Sequence, residues 1–222
     1  MTVILVTGAS RGIGAAIAKE LAGPDKLILI NYKSSVKDAK AVESAVRAKG
    51  ADCALLKADV SDAKAVDKLF RTIKKRWGRL DILISNAGIP PRYERLAKTT
   101  AKEFEAHWKV QALAAYLLCR QAVPMMQQNQ SGDIVFVLSS VAQGEPPAYL
   151  APYVSAKYAA LGLAKALSAE VAGKGIRVHT IFPGMTETDF IREIPRSVVD
   201  SVRESGRLGK PEDAAQAVAR LL

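Results

Sequence analysis

Tyr153 and Lys157 form the pair of side chains in this sequence whose chemistry is easiest to define. A separation of four residues places both on one face of a helix. A free phenol titrates near pH ~10, and a neighbouring ammonium group stabilises the phenolate, so that such a phenol can donate and accept a proton near neutrality. The spacing alone more often means an ordinary solvated pair. Ser140, at the end of a predicted strand thirteen residues before Tyr153, favours a proton-transfer site instead.

A glycine-rich turn near the start of the chain has the residue types needed to hold a phosphate. It lies between a predicted strand, 2–7, and a predicted amphipathic helix, 12–22. Glycines allow close backbone approach, and a helix N-terminus offers free N–H groups and the positive end of a dipole to a pyrophosphate. The turn could instead hold no ligand, but the strand before it and the helix after it favour a dinucleotide. The predicted cofactor contacts in this turn are Gly8, Ser10, Arg11, Gly12, Ile13 and Gly14.

The end of the second predicted strand bears on which dinucleotide is bound. It lacks the carboxylate that would hold both hydroxyls of an NAD ribose. A carboxylate would repel a 2′-phosphate, whereas Arg11, Lys33 and the hydroxyls of Ser34 and Ser35 could bind one. We therefore predict NADP(H), with Tyr32, Lys33 and Ser34 among its contacts. The alternative is that Lys33 and Arg11 are solvated surface charges.

These candidate residues lie on a repeating pattern of strand-length and helix-length segments. Near-continuous runs of Val, Ile and Leu alternate with amphipathic stretches, which favours a parallel sheet covered on both faces. Ligands bind such sheets at the carboxyl ends of the strands, where the candidates lie. The sequence thus predicts an α/β fold with a doubly wound, Rossmann-like parallel sheet of about six strands. The predicted strands are 2–7, 27–32, 51–57, 81–85, 133–139 and 176–182, and the predicted helices are 12–22, 35–49, 62–77, 101–128 and 151–172.

Composition sets broad limits on this protein. A length of 222 residues without repeats or linkers predicts one domain, 1–222, and 49% hydrophobic with 24% charged residues is typical of a soluble globular chain. The net charge of +10 attracts anionic ligands, but the basic residues are scattered and not interleaved with aromatics, which argues against nucleic acid. We see no leader and no membrane-length apolar run, so we expect a cytoplasmic protein without a membrane partner, with Cys53 and Cys119 reduced.

The motifs occur in the order typical of short-chain dehydrogenase/reductases. The pattern Gly8-x-x-x-Gly12-x-Gly14 resembles the glycine fingerprint of that family, and the segment around Tyr153 is similar to its active-site helix. The resemblance covers most of the chain and is nearest in pattern to 3-oxoacyl-(acyl-carrier-protein) reductases. It implies further cofactor contacts at Asp59 and Val60 near adenine, at Asn86, Ala87 and Gly88 in a supporting turn, and at Pro183, Gly184 and Thr188 near the nicotinamide carboxamide.

The resemblance also implies a reaction. Hydride would pass from NADPH to a ketone or aldehyde carbon, or in reverse from an alcohol, while Tyr153 transfers the proton and Ser140 hydrogen-bonds the oxygen. Lys157 would also hold the nicotinamide ribose. Ser140 rather than Ser139 aligns with the substrate-orienting hydroxyl of the family, so Ser139 is expected to be structural. The expected partner is a small carbonyl compound or an acyl thioester.

Gln111 departs from the family pattern. It occupies the place of an asparagine that usually completes the catalytic group by helping to hold a water on the path to the lysine. Three outcomes stay open: a working site whose relay includes Gln111, a slow enzyme, or a catalytically idle fold. The idle fold would make the chain an NADP-binding sensor or scaffold. An acyl-transfer enzyme that uses Ser140 is less well supported, because no histidine lies in an evident supporting position.

Two further expectations concern assembly and metals. The segment 207–213 resembles the start of the last helix of the family, and no seventh strand follows it. Because that strand often builds an oligomer interface in the family, we expect a homodimer through 101–128 and 151–172 rather than a tetramer. His107 and His179 lack neighbouring ligand residues, so both are expected to be structural and no catalytic metal is expected.

Overall fold

The central element of the protein is a six-stranded parallel sheet, seen in a computed structural model that describes residues 1–222. The strands are β1 (Thr2–Val6), β2 (Lys26–Tyr32), β3 (Asp52–Lys57), β4 (Ile82–Ser85), β5 (Gly132–Val137) and β6 (Ile176–Ile181). Their order across the sheet is β3-β2-β1-β4-β5-β6. The chain therefore winds outward from β1 in one direction and from β4 in the other, which confirms the predicted doubly wound fold.

Helices cover both faces of this sheet. They are α1 (Gly12–Glu20), α2 (Val36–Ala48), α3 (Ala63–Trp77), α4 (Ala101–His107), α5 (Ala114–Gln128), α6 (Ala151–Glu170), α7 (Arg196–Glu204) and α8 (Pro211–Ala219). One buried cluster joins the sheet to α3, α5 and α6, and a second joins it to α1, α2 and α8. Along β1, Leu5 belongs to the first cluster and Ile4 and Val6 to the second. Burial on both faces explains why the strand sequences are apolar throughout.

The predicted helix 101–128 contains one wide turn. A π-helical segment, Trp108–Leu113, joins α4 to α5, and at its end the Ala114 N–H donates to the Lys109 carbonyl five residues earlier. The predicted helix 101–128 is therefore confirmed at both ends, with this π segment between its two α-helical parts. Single π turns within α-helices are frequent at functional sites, and this one contains Gln111.

The C-terminal part of the chain returns to the first helix. A bridge between Thr186 and Gly209 brackets a short 3₁₀ helix, Asp189–Ile191, and α7. Beyond the bridge, α8 packs against α1, and its Val218 is fully buried in the same cluster as Ile17. The expected last helix is present and begins at Pro211.

Both cysteines are free and lie on opposite faces of the sheet, Cys53 in the second buried cluster and Cys119 in the first. Burial raises the pKa of each thiol to about 12. Both thiols are therefore protonated and unreactive at neutral pH. No helix has the length and apolar character needed to cross a membrane.

Candidate active site

A cleft of about 1340 Å³ opens along the carboxyl ends of the strands. It lies where the winding direction reverses between β1 and β4, which is where doubly wound sheets bind ligands. Tyr32 and Gln111 are the two predicted site residues that do not line it, because both side chains are buried behind its walls. The predicted residues that do line it are Gly8, Ser10, Arg11, Gly12, Ile13, Gly14, Lys33, Ser34, Asp59, Val60, Asn86, Ala87, Gly88, Ser140, Tyr153, Lys157, Pro183, Gly184 and Thr188.

The glycine turn at one end of the cleft is fixed by hydrogen bonds to Asn86. Gly8 and Gly12 have φ angles of +62° and +57°, which favour glycine. A Cβ at Gly14 would lie 2.6 Å from the Gly8 carbonyl oxygen and would also collide with the Asn86 amide. Asn86 Nδ2 donates to the Thr7 carbonyl oxygen at 2.8 Å, and the Asn86 N–H donates to Thr7 Oγ1 at 2.9 Å. The first N–H groups of α1 receive no side-chain cap, so they are available to an anion.

Two buried polar side chains that the sequence analysis overlooked support this turn. Thr7 is fully buried, and its hydroxyl accepts from Asn86 as described. Asn31 is 2% exposed, and its Oδ1 accepts from the Gly8 N–H at 3.3 Å. Asn31 Nδ2 donates to the carbonyl oxygens of Leu56 and Ala58, each at 3.1 Å. The available signal was a polar residue near the carboxyl end of an otherwise apolar strand.

The basic residues predicted to bind a 2′-phosphate contact carboxylates at the edge of the cleft. Lys33 Nζ lies 2.7 Å from Asp59 Oδ2, and Arg11 Nη1 lies 3.6 Å from Asp189 Oδ2. Both basic side chains are more than half exposed, so these ion pairs are weak and screened by water. Burial alone would raise the pKa of Asp59, but hydrogen bonds from Lys33 and Ser61 outweigh it and hold that pKa below the ordinary value.

Tyr153 and Lys157 lie together on α6, as their spacing predicted, and both are buried. Lys157 Nζ donates to the Val137 carbonyl oxygen at 3.0 Å and lies 5.7 Å from the centre of the Tyr153 ring. Burial raises the pKa of Tyr153 to about 12 and lowers the pKa of Lys157 to about 7. The expected lowering of the phenol pKa by the lysine is not found, because desolvation disfavours both charged forms. The phenol therefore keeps its proton at neutral pH.

The two adjacent serines differ in their relation to Tyr153. Ser139 is 7% exposed, and its nearby hydroxyl offsets part of the increase in the pKa of Tyr153 that burial causes. Ser140 is exposed, although it also lines the cleft. Ser139 is thus the serine near the phenol, and the catalytic role that the sequence analysis gave to Ser140 stays a prediction. Ser139 is still extended and its hydroxyl accepts from the Val141 N–H at 3.4 Å, and a 3₁₀ turn begins at Ser140.

Gln111 lies behind the cleft wall and contacts a histidine. Its Nε2 is 3.0 Å from Nδ1 of His107, and its Oε1 is buried without a hydrogen-bond partner. The His107 ring meets the Tyr153 ring edge-on, with 6.0 Å between centroids and an interplanar angle of 77°. His107 was expected to be an ordinary structural residue. Its spacing of four from Gln111 was the signal that could have linked it to the site.

The segment after β6 forms a further wall of the cleft, next to the glycine turn. Thr188 Cγ2 lies 3.5 Å from the position that a Cβ of Gly12 would take. The Thr188 hydroxyl accepts from the Phe190 N–H at 3.2 Å, which begins the short 3₁₀ helix there. The Phe190 ring lies 6.0 Å from the Tyr153 ring and also faces Gly88. An aromatic side chain thus forms an apolar wall next to the phenol.

Replacement of Lys157 by Met should change how stability depends on pH. Because burial lowers the pKa of Lys157 from 10.5 to about 7, the unfolded chain binds more protons than the folded chain between these values. The free energy of unfolding should therefore rise with pH across this window in the wild type, and rise less in Lys157→Met. Urea denaturation at several pH values measures both slopes. Lys165→Met, at an exposed position on the same helix, is the control and should match the wild type. If the free energy of unfolding depended on pH in the same way in the wild type and in Lys157→Met, the lowered pKa of Lys157 would be contradicted.

Comparison with known proteins agrees with this geometry. A family model described as short chain dehydrogenase matches residues 2–198. The chain is 33% identical over 221 residues to 3-oxoacyl-[acyl-carrier-protein] reductase FabG of Staphylococcus aureus, which covers 98% of this chain and 89% of the relative. It is 31% identical over 213 residues to a 3-oxoacyl-[acyl-carrier-protein] reductase of Synechocystis, covering 96% and 85%.

A plant protein is similar to the same extent. Tropinone reductase-like 3 of Erythroxylum coca is 33% identical over 224 residues, which covers 99% of this chain and 85% of that relative. These matches confirm the family that the sequence motifs indicated. With the six-stranded parallel sheet and the glycine turn at its carboxyl edge, they establish that the chain belongs to the short-chain dehydrogenase/reductase family of oxidoreductases.

Proposed function

We propose that this oxidoreductase reduces a ketone or aldehyde with NADPH, or oxidises an alcohol in reverse, with Tyr153 as general acid and base. The observation that carries the proposal is a buried, protonated phenol that lies beside a buried amine, in a cleft bordered by a glycine turn. The names of the relatives support the direction of the reaction: two are reductases of 3-oxoacyl groups on a carrier protein, and one is reductase-like.

The walls of the cleft fit a dinucleotide. A Cβ at position 14 would collide with the Gly8 carbonyl oxygen and the Asn86 amide, so the turn needs a glycine there, and the uncapped N–H groups of α1 can donate to a pyrophosphate. A nicotinamide nucleotide bound there supplies or accepts the hydride, while the protein contributes position and proton transfer. The residues that would bound it beyond the turn are Asp59 and Val60 at the adenine end, Asn86, Ala87 and Gly88 in the middle, and Pro183, Gly184 and Thr188 at the nicotinamide end.

The charges at the end of β2 favour the phosphorylated form, NADP(H). No carboxylate follows that strand directly, and Lys33, Arg11 and Ser34 line this part of the cleft. Lys33 holds Asp59 through an exposed ion pair, so a 2′-phosphate with two negative charges can replace the carboxylate as its partner.

The proposed proton transfer depends on the different pKa values of the two buried groups, the Tyr153 phenol and the Lys157 amine. Tyr153 is protonated at neutral pH, so it can donate to a carbonyl oxygen within hydrogen-bond distance. The phenolate that remains is stabilised when Lys157 carries a proton, and a pKa of about 7 lets this amine gain or lose one near neutrality. The Ser139 hydroxyl, already next to the phenol, provides a second donor for the same oxygen.

We extend the proposal to substrate, assembly and location. The Phe190 wall supports an apolar carbonyl compound, and the names of the relatives support an acyl thioester. A homodimer through α4, α5 and α6 is supported by aromatic side chains that these helices and the π turn expose: Phe104, Trp108, Tyr116 and Tyr158. A cytoplasmic location remains our expectation from the sequence.

Replacement of Tyr153 by Phe should lower kcat by at least about a hundredfold, because it removes the proton donor. Binding of NADPH should stay within about threefold, since the ring and its packing remain. Oxidation of NADPH followed by absorbance, over a panel of ketones, aldehydes, quinones and 3-oxoacyl thioesters, measures turnover. Tyr158→Phe is the matched control, because its hydroxyl only donates to the Gly144 carbonyl on the surface. Nucleotide binding without turnover of any compound by the wild type would instead favour the sensor or scaffold.

Single substitutions of Ser139 and Ser140 can show which of the two hydroxyls contributes to turnover. Ser139→Ala should reduce kcat by about tenfold or more, because it removes the hydroxyl near Tyr153, whereas Ser140→Ala should have the smaller effect. The same assay of NADPH oxidation decides between them. A larger loss in Ser140→Ala would restore the assignment expected from the sequence.

Lys33→Ala should raise the Kd for NADPH by about tenfold, because a charge-assisted hydrogen bond to the 2′-phosphate is lost. Its Kd for NADH should be unchanged. Fluorescence titration with both nucleotides measures the two constants, and Lys37→Ala, exposed outside the cleft, is the control. Equal affinity of the wild type for NADPH and NADH would remove the phosphate site from the proposal.

A further inference from the structure

His107 is buried at the junction between α4 and the π turn, and 5% of its surface is exposed. Its ring packs edge-on against Tyr153. The proposed proton transfer makes no use of this imidazole. His107 is nevertheless buried, packs against the phenol and makes a polar contact with Gln111. These three features indicate a role other than proton transfer.

The contact with Gln111 defines the state of the imidazole. The Gln111 Nε2 group can only donate, so at 3.0 Å the Nδ1 atom of His107 must be the acceptor. A neutral imidazole has one N–H, which is then on Nε2. The hydrogen bond thus fixes the tautomer of His107 and the orientation of the Gln111 amide at the same time.

The other atom of this amide, Oε1 of Gln111, is the one buried polar side-chain atom in the protein without a hydrogen-bond partner. It lies 3.8 Å from the position that a Cβ of Gly88 would take, and Gly88 lines the cleft. Buried carbonyl oxygens without partners are rare in folded proteins. An acceptor in this position is suited to an O–H or N–H group that enters from the cleft, such as a water or a substrate hydroxyl.

Burial keeps His107 neutral at neutral pH. Burial is the main cause that lowers its pKa; Glu103, one turn earlier on α4, acts to raise it, and Lys157 on α6 acts to lower it. Tyr153, the other titratable group that faces it from α6, is protonated at neutral pH. Nδ1 is therefore available as an acceptor under ordinary assay conditions.

We propose that His107 is a positioning residue of this site: it holds the Gln111 amide so that Oε1 faces Gly88 and accepts a hydrogen bond from a hydroxyl or water next to Tyr153. The effect of His107 on turnover rests on the proposed function. Its effect on the Gln111 amide does not, and this part can be measured without any substrate.

Nitrogen NMR of the imidazoles tests the geometry directly. The chain has two histidines, so a His179→Asn variant assigns both signals. We expect the Nε2–H tautomer for His107 at neutral pH and a titration midpoint below 6.5. In Gln111→Leu that midpoint should move upward, because the hydrogen bond that favours the neutral form is lost. An Nδ1–H tautomer, or a midpoint unchanged by Gln111→Leu, would overturn the proposal.

Turnover provides the second test. His107→Phe keeps an aromatic edge against Tyr153 but removes the acceptor, and kcat should fall by about tenfold with KM within about twofold. His107→Asn, whose Oδ1 can accept from Gln111, should recover most of this loss. Because the two residues act as a unit, the double variant His107→Phe with Gln111→Leu should have a kcat no lower than that of the less active single variant.

The outcomes separate this proposal from the proposed function. Full kcat in folded His107→Phe, or additive losses in the double variant, would overturn the positioning role. If the wild type turns over no compound, the proposed function fails while the NMR result still decides the orientation of the amide. Thermal melting of each variant identifies any that do not fold. If the His107 variants do not fold, the histidine titration in Gln111→Leu decides whether the proposal holds.

Discussion

The hydrogen bonds between Asn86 and Thr7 join two neighbouring strands at the point where the sheet changes its winding direction. The two residues are 79 positions apart in the chain. The side-chain amide of Asn86 donates to the Thr7 carbonyl oxygen, and the Asn86 backbone N–H donates to the Thr7 hydroxyl. No helix can cover the sheet at this point, because the connections from β1 and β4 leave toward opposite sides. Polar backbone there needs partners from side chains. Asn86 supplies them and so leaves the glycine turn accessible.

Burial does more than stabilise the fold at this site, because it sets the proton chemistry. Removing Tyr153 and Lys157 from water favours the neutral form of both, at a cost in stability for the lysine below its ordinary pKa. The result is a phenol that retains its proton and an amine that can change charge near neutrality. Groups with such perturbed pKa values are concentrated at functional sites, and the cleft contains two of them side by side.

Much of the fold could be predicted because parallel strands buried on both faces have a strong apolar signal. The predicted strand 27–32 differs from β2 by one residue, and the family resemblance, together with the rule that ligands bind at strand ends, predicted most cleft residues from the sequence. Details that depend on side-chain direction were less accessible. The choice between Ser139 and Ser140 depends on where the extended backbone gives way to a 3₁₀ turn. Tyr32 faces the second buried cluster rather than the cleft. The alternation of side chains along a strand predicts this only when it is known which face of the sheet each side chain meets.

The wide turn at Trp108–Leu113 sets the rotation of α4 about its axis relative to α5. Each residue of an α-helix advances the rotation by about 100°, so loss of one residue from this turn would regularise the helix and rotate α4 by about that angle. His107 would then leave the Tyr153 ring. The number of residues in this turn, and not only their identity, is thus part of what defines the site. Insertions and deletions here alter the chemistry through helical phase.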